Sequence, residues 1–343
     1  MGEISGRKDA HIDVVLHRDV SARSVTSGLE RVRFEHVALP EFALSDVDLS
    51  SRFLGRTVSA PLLVSSMTGG TARTATINDS ISRACGELGL AFAVGSQRVA
   101  LEAGGMDGFS HMLRRAAPDV PILANFGAAQ LASWDGPEMA RRAVDMIEAD
   151  ALIIHLNPLQ EAVQSGGDTN WSGLLSAIGR VARAVSFPIV VKEVGSGISG
   201  RVARQLVDAG VSVIDVAGAG GTSWAAVEAE RAPTAELRAL GLAFRDWGIP
   251  TATCIREVRT SCPGTPIIAS GGIRDGLDCA KAIRLGADMT GIAAGLLTPA
   301  LEGHAALARS LSGIVEQLRI ASFCTGSRSL NELRTARLVG EDL

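Results

Sequence analysis

From Pro61 onward the chain alternates short apolar runs with amphipathic stretches. Eight runs recur: PLLVSSM (61–67), AFAVGS (91–96), ILANFG (122–127), ALIIHLN (151–157), PIVVKEV (188–194), VIDVAG (213–218), PIIASGG (266–272) and MTGIAAG (289–295). Each has the length of a strand, and most end in a polar or glycine-containing turn. Between them apolar residues return at helical spacing, over 75–88, 138–148, 173–185, 200–209 and 275–285. Strands alternating with helices pair in parallel. Eight such units predict an α/β fold, a (β/α)8 TIM barrel. The rival is an open doubly wound sheet, because GSGISG (195–200) has the G-x-G-x-x-G form, with Asp215 about 20 residues further on. That fingerprint belongs to the first unit of a dinucleotide domain, and here it follows the fifth strand of eight.

The remaining residues frame this repeat, and the whole of 1–343 reads as one domain. Residues 1–60 form an N-terminal arm and cover, with a cover strand and turn predicted over 37–53. The barrel spans 61–322, closed by a helical pattern over 301–318. The tail, 323–343, carries a further small helix. Residues 219–265, between strands six and seven, are too long for a plain βα connection. An insertion there lies at the catalytic face and is expected to cover the site.

Composition narrows the functional classes. With 343 residues, 46% of them hydrophobic, the chain can bury a sizeable core. A net charge of −4 gives no polyanion-binding surface, so no nucleic-acid partner is expected. No apolar run approaches the ~18 residues of a membrane span, and the first residues lack an apolar signal core. The five scattered cysteines, odd in number and without C-x-x-C, point to reduced thiols and a cytoplasmic location.

Function in a barrel sits at the C-terminal ends of its strands. The last two units, 266–297, read as strand, Gly-Gly turn, helix, strand and glycine turn. Amides of Gly271 and Gly272, beside a helix N-terminus and Arg274, suit a phosphate dianion; the alternative is that these glycines only make turns. Lys192 stands inside an apolar run, where it needs an anionic partner or a shifted pKa. His155 reads equally as a core histidine or a functional one. Asn157, Gln160 and Glu161 follow within a turn, and packing alone does not explain four polar groups at one strand end. Glu161 is the one acid there, the natural ligand if Mg2+ arrives with a phosphate ester. In the arm, Arg7 and His11 share a helix face with Lys8 beside it, suiting a diphosphate or a solvated terminus. The arm has little else to bury and is expected to fold over the diphosphate only when substrate is present.

Taken as a set, RKDAH (7–11), SMTGG (66–70), GSQR (95–98), ANFG (124–127), HLNPLQE (155–161), VVKEVG (190–195), GGTSW (220–224), ASGGIR (269–274) and AAG (293–295) resemble the type 2 isopentenyl-diphosphate Δ-isomerases. The resemblance runs from about Arg7 to Val339. It implies a TIM barrel that binds FMN and Mg2+, uses a reductant such as NADPH, and interconverts isopentenyl and dimethylallyl diphosphate. It places FMN on Ser66, Met67, Thr68, Ser96, Asn125, Lys192, Thr222, Gly271, Gly272, Arg274, Ala294 and Gly295. It places the prenyl diphosphate on Arg7, Lys8, His11, Ser96, Gln97, Arg98, His155, Asn157 and Gln160, and Mg2+ on Glu161. Gln160, Lys192 and His155 are the catalytic candidates, and a homo-oligomer is expected. The chain departs from the family at Ser65–Ser66, where an Ala is frequent, at Ile12, where Leu is common, and at Ala217, where some members have Ser.

The chemistry suits those residues. Moving a double bond adds a proton at one carbon and removes one two carbons away. An alkene is a poor base, and no strong acid stands among the strand ends. The family's reduced flavin is thought to fill that gap, with Lys192 stabilising its anionic form and Gln160 relaying a proton. An FMN-dependent hydroxy-acid oxidase would share barrel and phosphate turn but need a His–Arg pair for a carboxylate. A nucleotide-oxidising barrel would want a cysteine in the strand-six loop, which here is GAGGTSW (218–224). A non-enzymatic phosphate-binding scaffold would not need Lys192, His155 and Glu161 together.

Overall fold

The computed structural model describes residues 2–67, 72–103 and 109–340, with residues 2–8, 72 and 103 described by their backbone alone. Eight parallel strands close on themselves: β1 (Leu62–Val64), β2 (Ala91–Ala93), β3 (Ile122–Gly127), β4 (Ala151–Leu156), β5 (Ile189–Glu193), β6 (Val213–Asp215), β7 (Ile267–Ser270) and β8 (Met289–Ile292). β8 pairs with both β7 and β1, so the sheet is a barrel and not an open doubly wound sheet.

Side chains alternate across each strand. Leu63, Leu123, Ile153, Val190, Ile268 and Met289 point inward and form one cluster. Their neighbours Leu62, Val64, Leu152, Ile154, Ile189 and Val191 pack outward under the helices. Two residues further along, the inward positions are Ser65, Asn125, His155, Lys192, Asp215 and Ser270. The interior therefore changes from apolar to polar within one layer. Burial at about 25 cal/mol per Å2 favours the lower layer. The upper layer is sustainable only where polar groups pair or face a cavity.

The expected cover strand over 37–53 shrinks to Ser51–Phe53, which pairs antiparallel with Arg56–Val58. A closed barrel has no edge to which a longer strand could add. Phe53 and Val58 join the inner cluster, and Arg56 reaches Asp150, which precedes β4. This hairpin plugs the N-terminal mouth, opposite the catalytic face.

The insertion after β6 contains three helices, Trp224–Glu230, Ala235–Ala243 and Thr251–Ser261. The first starts at Ser223, whose side chain accepts from the Ala226 amide. The closing helix, His304–Cys324, runs past the expected boundary at 322, and the tail carries the short helix Leu330–Leu333. The arm forms a helix, Gly2–His17, and His11 and Ile12 are 8% and 1% exposed. Those two residues supply the burial that a mostly polar composition concealed. Behind the helix, Ala22 N–H donates to Gly221 O and Ser223 N–H to Val20 O, pinning the chain to the β6 loop.

Candidate active site

A cavity of about 260 Å3 opens at the C-terminal ends of the strands. Its floor is Ser65, Ser270 and Gly291; its walls carry Lys192, Met67, Thr222 and Trp224, with His11 and Ile12 of the arm helix as a lid. At the β7 end, Gly271 and Gly272 take φ of 97° and 69°. A β-carbon at 271 would lie 2.1 Å from the Gly218 carbonyl oxygen, so only glycine fits where the β6 and β7 loops touch. Ala294, Gly295 and Arg274 complete this side of the cavity. The following helix, Gly276–Arg284, has its N-terminus capped by Asp275, which accepts from Asp278 N–H at 2.8 Å. The turns, and not the helix N-terminus, line the cavity on this side. Arg274 is largely exposed and pairs with Asp278 at 3.3 Å.

Lys192 projects from the polar layer between His155 on β4 and Asp215 on β6, its partners in register. Its ammonium donates to Glu193 O at 2.7 Å and lines the cavity. Glu193 faces the other way. Its Oε2 accepts from the amides of Val194 and Gly195 at 2.6 Å each, from Ser196, and from Gly197 at 3.2 Å. The glycine loop that resembled a dinucleotide fingerprint is thus wrapped around the protein's own carboxylate. Burial pushes the Glu193 carboxyl up, while these amides and Lys192 pull it back.

Across the floor, Asn125 donates to Ser66 Oγ at 2.7 Å and its Oδ1 lies 2.8 Å from His155 Nδ1. Because that amide nitrogen is the donor to Ser66, Oδ1 is an acceptor and His155 carries its proton on Nδ1. A second group stands beside the lid. Gln160 donates to Glu228 Oε1 at 2.8 Å, His11 Nε2 lies 3.0 Å from the same oxygen, and Arg231 donates to Oε2 at 2.8 Å. Burial alone would raise the Glu228 carboxyl; the hydrogen bonds from His11 and Gln160 and the charge of Arg231 outweigh it and hold it below its ordinary value. Asn157 donates to Glu161 Oε1 at 2.9 Å and to Gln160 Oε1 at 3.2 Å; Gln164 and the Asp168 amide donate to Glu161 Oε2.

Most of the expected residues converge on this face, with exceptions. Gln97 is wholly buried: its Oε1 accepts from Asn125 N–H and its Nε2 donates to Ala143 O, both at 2.9 Å. It clamps β3 to the helix Gly136–Ile147 and has no group left for a ligand. Arg98 pairs with Glu102 and Asp168 at the rim, and Ser96 Oγ accepts from the Arg98 amide. Thr68 lies outside the described residues, as do the side chains of Arg7 and Lys8. Sequence reasoning placed Glu193 at the end of the fifth strand beside Lys192, missed Glu228, and read Asp215 only as part of a fingerprint. Strand alternation gives the signal for Asp215, placing it inward beside Lys192. Glu228 carries no local signal, because helix packing brings it to Gln160.

Residues 123–340 match the FMN-dependent dehydrogenase family. The isopentenyl-diphosphate delta-isomerase of Cronobacter sakazakii is 56% identical over 342 residues, covering 99% of both chains. That of Stutzerimonas stutzeri is 57% identical, covering 97% of this chain and 96% of its own. The chain belongs to the isopentenyl-diphosphate delta-isomerase family. A solved structure of mandelate oxidase with (S)-2-phenylpropionate superposes with a TM-score of 0.66 at 18% identity, over 98% of this chain and 97% of that one. That likeness shows the barrel alone. In this member of the isopentenyl-diphosphate delta-isomerases the cavity floor is closely packed and polar. A β-carbon on Gly291 would meet Ser65 Oγ at 2.4 Å, and that buried hydroxyl has no hydrogen-bond partner among the described residues.

Proposed function

We propose that the protein interconverts isopentenyl diphosphate and dimethylallyl diphosphate, with bound reduced FMN as the acid–base group and no net redox change. The observation that carries this reading is the cavity itself, which joins an anion-facing glycine turn to a buried lysine. When bound, reduced FMN supplies a proton donor and acceptor that the strand ends lack. NADPH would serve only to keep it reduced.

The chain's residues then divide the work. Gly271, Gly272, Arg274, Ala294 and Gly295 hold the cofactor's phosphate. Ser66, Met67, Ser96, Asn125 and Thr222, together with Thr68 by the family resemblance, would hold its ring, and Lys192 would offset negative charge on it. Arg7, Lys8 and His11 take the diphosphate with Arg98 at the rim. The arm helix over the cavity excludes water, which an alkene protonation requires. His155 and Asn157 orient the prenyl chain, and Gln160 passes a proton, held in place by Glu228. Among the described residues no three His, Cys, Asp or Glu side chains gather to hold a metal. Glu161 therefore fits Mg2+ only with substrate oxygens completing the shell, as Mg2+ usually accepts.

The test is an incubation with reduced FMN, Mg2+ and isopentenyl diphosphate, the position of the product's double bond read by NMR. Dimethylallyl diphosphate is the expected product. Its absence from protein that has taken up FMN contradicts the reading.

A further inference from the structure

Asp215 is the one fully buried carboxylate in the polar layer beneath the cavity, 0% exposed at the inward end of β6. Ser270, on the cavity floor, donates to its Oδ1 at 2.6 Å. Its Oδ2 is buried and has no hydrogen-bond partner among the described residues. In register beside it on β5 is Lys192, whose ammonium leans to the Glu193 carbonyl. A buried carboxylate oxygen left open is costly, and a cation on the adjacent rung is the group that offsets it. We infer that Asp215 is the counter-charge beneath Lys192, and that the charge of Lys192 is divided between Asp215 below and the anion held in the cavity above.

The inference deepens the flavin reading and rests on it. A lysine with no competing anion would hold a reduced, negatively charged ring tightly. With Asp215 taking part of that charge, the ring keeps more of its basicity, which an acid–base role needs. Asp215 acts through Lys192, so it is a positioning residue and not a catalytic one. Burial pushes its carboxyl up, against Lys192, the Ser270 hydroxyl and the Ala217 amide. Removing Lys192 takes away the largest of the influences that hold the carboxyl down against burial.

Asp215→Asn keeps the shape and an acceptor for Ser270 but removes the charge. The readout is the two-electron midpoint potential of bound FMN, followed spectroscopically. Lys192→Met should lower it. Asp215→Asn should raise it, favouring the reduced form by roughly tenfold, which is ~30 mV for a two-electron couple. In the Lys192→Met background, Asp215→Asn should change nothing. Ser270→Ala, which leaves the carboxylate charged but removes the hydrogen bond that partly neutralises it, should shift the potential downward by less, and it serves if Asp215→Asn does not fold. A potential that Asp215→Asn leaves unchanged or lowers, or that Ser270→Ala leaves unchanged or raises, overturns the inference. So does an equal rise in the presence and absence of Lys192. Unaltered protein that takes up no FMN overturns the flavin reading and this inference together; a normal flavin with the wrong response overturns the inference alone.

Discussion

Two strand ends of this barrel finish in glycine turns and use them in opposite ways. After β5, four amides of residues 194–197 close on the Glu193 carboxylate. After β7, Gly271 and Gly272 press on the β6 loop and face the cavity; among the described residues no carboxylate accepts from their amides. The first turn carries the stronger sequence signature, yet it is already filled. A ring of amides binds whichever anion reaches it first, and a carboxylate immediately before the turn is always within reach. Alternation then does the rest. With Glu193 outward in the loop, Lys192 must point inward, and the cavity receives a cation from the same strand end that closes its own anion site.

The comparison can be broken at either turn. The largest effect is expected from Lys192→Met, which removes the inward cation. Turnover should fall by about one to three orders of magnitude, as for loss of a main electrostatic stabiliser, with FMN harder to reduce. A normal rate would separate β5 from the chemistry. Gly271→Ala comes next. Its β-carbon would meet the Gly218 oxygen at a positive φ, displacing the turn and weakening FMN at least about tenfold by fluorescence titration, equivalent to ~1.4 kcal/mol. Gly264→Ala, in open space, serves as the control.

Glu193→Ala sharpens the other half of the contrast. It strands the amides of Val194, Gly195 and Ser196, each costing about 1–3 kcal/mol if left buried without an acceptor, while Gly197 N–H keeps Ala217 O at 3.0 Å. Urea unfolding should show a loss of at least about 3 kcal/mol while FMN still binds once folded. A flavin phosphate captured at 194–197 in that variant would show that Glu193 had been the competitor. The smallest effect is one of pH. The Glu228 carboxyl lies below its ordinary value of 4.5 in the folded protein. Its contribution to docking the arm helix is therefore complete above about that pH and is lost as the pH falls through the lower folded value. Fluorescence of Trp224, whose ring meets His11 edge-on at 5.2 Å, should report the release, and a Trp224→Phe variant should not.

The barrel was legible because each strand's apolar run and its terminal turn are local signals. The cavity's lining was legible for the same reason, in Gly271, Gly272 and Lys192. Three things were not local. Gln97 looks like a rim residue in GSQR, but its amide is consumed by β3 and a neighbouring helix. Glu228 sits in a charged stretch of the insertion and gains meaning only where it meets Gln160 and the arm. The arm itself reads as polar, and two buried residues, His11 and Ile12, decide that it docks.

The central claim is that the cavity holds a reduced flavin that the reaction uses and does not consume. The direct measurement starts from enzyme reduced with dithionite under anaerobic conditions and freed of excess reductant. Isopentenyl diphosphate is added, and product is counted against flavin while the flavin's absorbance is followed. The account predicts many turnovers per flavin, with the flavin still reduced at the end. One oxidised flavin for each substrate converted, or full activity with the flavin oxidised from the start, would contradict it.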